Sequence, residues 1–170
     1  MSPNRAVVRY FVSYAHKDDR LKRALLERLH TRLSIATGFS FQPWDDQRLL
    51  VGQEWSAGIL AAIGACDFGL LLLSPEFLAS PYIRGVELPA LVSGKRLVPV
   101  ELKPLRFDGS MDMAGLDRLQ IFPGPLGKAF STLRSSAAQD KFADDLFAQI
   151  VQIARAGFPP VPCRSLPCAP

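Results

Sequence analysis

The side chains best equipped for chemistry fall into three short stretches: Ser13 to Asp19, Trp44 to Gly52 and Ser74 to Glu87. The first holds Ser13, Tyr14, Ala15, His16 and the pair Asp18-Asp19. The second opens on Trp44 and contains Arg48, and the third carries Tyr82 and ends in Glu87. Metal chemistry is not expected, because His16 and His30 stand at no ligand spacing from other His, Cys or acidic residues. The paired aspartates suggest a phosphoacceptor, yet Ser74-Pro75 stand where an acceptor Asp should close the third strand. A glutamate such as Glu87, taken alone in the first turn of a helix, is commonly just a favourable partner for the helix dipole.

These stretches follow alternating strand and helix signals. Val7, Val8 and Tyr10 to Tyr14 form a β-prone run, and Asp18 and Asp19 offer cap chemistry for a helix whose Leu21, Leu25, Leu29 and Leu33 share one face. Gly38 closes that helix, Phe39 to Trp44 reads as a second strand, and Ile59, Leu60 and Ile63 mark a second helix. Phe68 to Leu73 is uninterrupted apolar sequence, as a central parallel strand covered on both faces requires. A helix over Val86 to Val92, a strand over Arg96 to Leu102, a short edge strand at Ile121-Phe122 and a helix over Asp140 to Arg155 complete the series. The pattern predicts an α/β fold: a flavodoxin-like, doubly wound, mostly parallel five-stranded sheet with helices on both faces. Ligands of such sheets bind beyond the carboxyl ends of the strands, where the strand order reverses, and the three stretches converge there.

Composition narrows the function classes. The 170 residues are 48% hydrophobic and 21% charged, which suits one globular domain, and the net charge of +4 is scattered along the chain, so no direct nucleic-acid partner is expected. The longest apolar run is far short of the roughly 20 residues that span a bilayer. A cytoplasmic protein without a membrane partner is therefore expected. Cys66 adjoins the apolar strand, while Cys163 and Cys168 lie in proline-rich sequence with neither zinc spacing nor a disulfide framework.

Three motifs carry a family resemblance. Tyr10-Phe11-Val12-Ser13-Tyr14 resembles the opening strand of TIR (Toll/interleukin-1 receptor) domains, and Asp45 to Gly52 resembles their loop between second strand and second helix. Leu73-Ser74-Pro75-Glu76-Phe77-Leu78, continuing through Ser80 to Glu87-Leu88, resembles their third-strand signature. Order and spacing agree over Arg9 to Leu102, and the likeness is closest to bacterial members. Many members place a Trp four residues before the glutamate, whereas this chain has Ile83 there and Tyr82 one residue earlier. The resemblance implies a TIR domain over residues 1–157 and a proline-rich tail or linker over 158–170.

It further implies an NAD glycohydrolase in which Glu87 is the catalytic residue. NAD is the substrate, no cofactor is required, and Ser13, Tyr14, Ala15, His16, Trp44, Arg48 and Tyr82 are the expected substrate-binding residues. Trp44, Tyr14 and Tyr82 would stack on a nucleotide ring, Arg48 would meet a phosphate, and the backbone of Ser13 to His16 would offer anion contacts. Other TIR domains are the expected partners, with self-association regulating a signalling or defence role and a fused or separate sensor supplying the trigger. The alternative from another class is a non-catalytic adaptor that docks through Asp45 to Gly52.

Overall fold

The computed structural model describes residues 5–44 and 55–158. The second-strand loop with Arg48 and the segment 159–170 with Cys163 and Cys168 lie outside the described residues. Four strands, β1 (Ala6–Ser13), β2 (Phe39–Trp44), β3 (Phe68–Leu73) and β4 (Arg96–Glu101), pair in parallel in the order β2-β1-β3-β4. Helices α1 (Asp19–Ser34), α2 (Trp55–Ala65), α3 (Pro75–Ala79), α4 (Leu88–Val92) and α5 (Ser136–Ala156) alternate with them.

The alternation of side chains along the strands divides the interior into two layers. Val8, Tyr10 and Val12 of β1, with Phe68, Leu70 and Leu72 of β3, pack under α1 and α5. Phe11, Leu71 and Leu73 point the other way and meet Ile59 and Ile63 of α2 together with Leu88 and Leu91 of α4. The sheet is thus doubly wound. Every residue of β3 is buried, which explains its unbroken apolar sequence; truncating one of its leucines to alanine would cost about 2–5 kcal/mol. Gly69 belongs to that run without a side chain of its own: a Cβ there would come within 2.8 Å of the Leu91 side chain, so its absence lets α4 seat closely.

Four expectations need correction. The fifth strand shrinks to a single parallel bridge between Phe122 and Val100, since Pro123 follows immediately and has no N–H with which to extend a ladder. The helix expected from Val86 begins at Pro81, and Ile83–Glu87 form a π-helical segment before α4. The last helix starts at Ser136, four residues early, because Ser135 caps it by accepting the Ala138 N–H at 3.1 Å. Finally, Asp18 occupies the N-cap position of α1 but makes no side-chain cap bond, its carboxylate being drawn into the interior.

Candidate active site

The strand order reverses between β1 and β3, and a cleft of about 380 Å³ opens beyond their carboxyl ends. This is the size of a small-ligand site. One wall comes from the residues that follow β1, including Tyr14, Ala15, His16 and Lys17; the other comes from Glu76, Ser80, Tyr82 and Ile83. Glu87 lies between them, only 8% exposed. A wider depression of about 720 Å³ beside β4 contains no residue of the three motifs.

The local sequence accounts for the placement of Glu87. Pro89 has no N–H to donate backwards, and its ring crowds the carbonyl four residues earlier. The chain accommodates it with a wider turn: the Leu88 N–H reaches back five residues to the Ile83 carbonyl. Glu87 therefore sits deep in a continuous helical stretch rather than in a first turn, which removes the helix-dipole explanation for it. Its Oε2 accepts a 2.5 Å hydrogen bond from Ser13 Oγ at the end of β1, and Ser13 is itself 1% exposed. A charge-assisted bond of this length fixes the carboxylate against the sheet edge.

Tyr82 stands near the same carboxylate. Burial raises its phenol pKa above the ordinary value, and the negative charge of Glu87 raises it further. The Tyr82 hydroxyl is consequently neutral, and a competent hydrogen-bond donor, throughout the neutral range.

A second polar group braces the walls. The Ser74 Oγ donates to Asp18 while accepting the Phe77 N–H at 3.0 Å as cap of α3. Lys103 Nζ lies 2.5 Å from Asp18 Oδ1 and 3.0 Å from Glu76 Oε1. Its ammonium is held protonated to higher pH, chiefly by Asp18, whereas Glu76 is held below the usual carboxylate range by its own backbone amide and then by Lys103. Buried Lys22 sits 4.2 Å from the Tyr14 ring centroid and bonds Asp19 at 3.2 Å. Burial pulls the Lys22 pKa down, but Tyr14 and Asp19 outweigh it, so the net shift is upward.

The cleft thus brings together Tyr14, Ala15, His16, Tyr82 and Glu87 of the expected residues. Ser13 bonds Glu87 rather than lining the cavity. Trp44 stacks on Phe11, with centroids 5.1 Å apart and planes 16° from parallel, and packs with the apolar layer instead of the cleft. One face of Tyr14 is already covered by Lys22. Lys17, Glu76, Ser80 and Lys103 were missed. The first three lie inside the motif stretches and could have been read there, while Lys103 gave no local signal. Asp18 does not stand open as one of a receiver-like aspartate pair, because its carboxylate is buried, hydrogen bonded by Ser74 and paired with Lys103.

A family model described as TIR domain matches residues 11–132, from within β1 to the turn before α5. The chain belongs to the TIR domain family. No curated protein matches it in sequence. The matched region encloses both walls of the cleft, the glutamate and the Lys103 brace. A TIR domain is a signalling and defence-type module, and TIR domains associate with one another. Among the described residues no helix is long and apolar enough to cross a membrane.

Proposed function

We propose that this TIR domain is an NAD glycohydrolase, with Glu87 as its catalytic residue. The observation that carries the reading is a buried carboxylate, anchored by Ser13, in a ligand-sized cleft at the topological switch point. The leaving group makes one carboxylate sufficient. Nicotinamide in oxidised NAD is a cationic pyridinium, so when its bond to ribose C1′ breaks the electron pair passes to the ring nitrogen and a neutral molecule departs without a general acid. Ordinary glycoside cleavage needs two carboxylates because its leaving oxygen must be protonated.

Positive charge then develops on the ribose. Glu87 stabilises that oxocarbenium-like state and accepts hydrogen bonds from ribose hydroxyls in a site poor in water. Ser13 keeps the carboxylate aimed, and Tyr82 supplies a ring and a neutral hydroxyl beside it. Water capturing C1′ and losing a proton yields ADP-ribose; capture by another part of the substrate yields a cyclic product. Tyr14, Ala15 and His16 form the wall against which the substrate rests. Self-association with other TIR domains regulates the reaction in cytoplasmic defence signalling.

The test is nicotinamide release from NAD by the purified chain, at rising protein concentration and with a crowding agent, beside Glu87→Ala. Release by the parent and none by a folded variant supports the assignment. Silence of both in an assembled sample supports the adaptor reading instead.

A further inference from the structure

We propose that Lys103 is a positioning residue for the cleft: its ammonium, seated between Asp18 and Glu76, locks the turn after β1 and the first turn of α3 into one arrangement. The Asp18 side chain is 0% exposed, and a carboxylate so buried is tolerated only when paired and hydrogen bonded. Its two oxygens are divided between Ser74 Oγ and Lys103 Nζ. Lys103 then extends to Glu76, which lines the cleft. The backbone secures the base of the brace, since the N–H groups of Leu102 and Lys103 both donate to the Leu73 carbonyl, at 2.9 and 3.2 Å.

Each carboxylate belongs to a different wall. Asp18 follows His16 and Lys17 directly, and its own N–H closes that turn by donating to the Ala15 carbonyl at 2.8 Å. Glu76 lies in α3, and the chain continues from its end at Ala79 through Ser80 to Tyr82. Beside the Ser74–Asp18 hydrogen bond, this cation therefore adds a second tie between two walls that rise from the paired strands β1 and β3. Without it, the buried Asp18 charge keeps only the Ser74 hydrogen bond, and leaving a buried charge without its counter-ion is costly enough to loosen the turn.

Lys103→Met keeps the length of the side chain and removes the charge; Asp18→Asn removes the charge it answers while still able to accept from Ser74. The first readout is amide hydrogen exchange of the free protein, which needs no substrate. Protection at Asp18, Leu78 and Ser80 is expected to fall at least tenfold in Lys103→Met while α5 is unchanged, and to recover to within about threefold in the double variant. Unchanged protection at the walls, or a double variant no better than the single one, overturns the proposal. Should Lys103→Met not fold, recovery of folding in the double variant supports it, and equal failure of both overturns it.

The second readout rests on the glycohydrolase reading. In NAD turnover per folded molecule, Lys103→Met should lose at least tenfold in kcat and regain most of it in the double variant. Parental kcat and KM in folded Lys103→Met would leave Lys103 a structural residue only and overturn positioning. A parent silent on NAD removes the glycohydrolase reading, while the exchange comparison still decides the brace.

Discussion

Two polar regions of this TIR domain handle charge in opposite ways. Between α1 and α5, Arg28 and Arg32 meet Asp140 and Asp144, and those carboxylates are 46% and 61% exposed. At the carboxyl edge of the sheet, Ser13, Asp18, Lys22, Ser74 and Glu87 are all buried, and among the described residues they are the buried polar and charged set. In the first region the carboxylates keep much of their solvent, so its ion pairs add little to stability. The second requires every group to find a partner, because a buried charge left alone is expensive. The fold concentrates this cost on the one edge where the cleft opens.

Variants on the two sides should separate cleanly. The largest effect is expected from Glu87→Gln, which keeps the shape and removes the charge. Nicotinamide release should fall by about 10²–10³-fold, as when a preorganised electrostatic stabiliser is lost, with the thermal melt little changed. Ser13→Ala removes the donor that aims Glu87, and a bond to a charged group is worth about 1.5–3 kcal/mol. Steady-state kinetics should show kcat reduced by about 10–100-fold. Tyr82→Ala deletes ring contact, and KM for NAD should rise by about three- to tenfold, measured beside Tyr82→Phe, which keeps the ring. Arg32→Ala, on the solvated side, should shift a denaturant melt by about 0.5 kcal/mol or less and leave turnover as it was. A large activity loss in Arg32→Ala would break the contrast, and a silent Ser13→Ala would blunt it.

How far the sequence spoke for itself also differs between regions. The ranges of β2 and β3 were legible residue by residue, because continuous or β-prone apolar runs bounded by Gly, Asp and Ser-Pro leave few alternatives. The helical stretch bearing Glu87 was legible only in its second half. Pro81, Gly85 and Pro89 argue against a helix, and the wider π turn that reconciles Pro89 with one does not belong to the α-helical periodicity by which helices are recognised in a sequence. Asp18 has the residue type and position of a cap, yet its partners are Ser74 and Lys103, which local patterning cannot bring together. Lys103 was invisible for the same reason. Tyr14, Ala15, His16, Tyr82 and Glu87 were found at motif positions, and so was Ser13, which holds Glu87; the partners of Asp18 were not, since they lie far away along the chain.

Catalysis by Glu87 stands or falls on the rate of nicotinamide release per folded molecule for the parent, Glu87→Gln and Arg32→Ala, run side by side at one protein concentration. That role requires release by the parent and by Arg32→Ala at matching rates, with Glu87→Gln near background. Turnover retained by folded Glu87→Gln, or no release by an assembled parent, would contradict it.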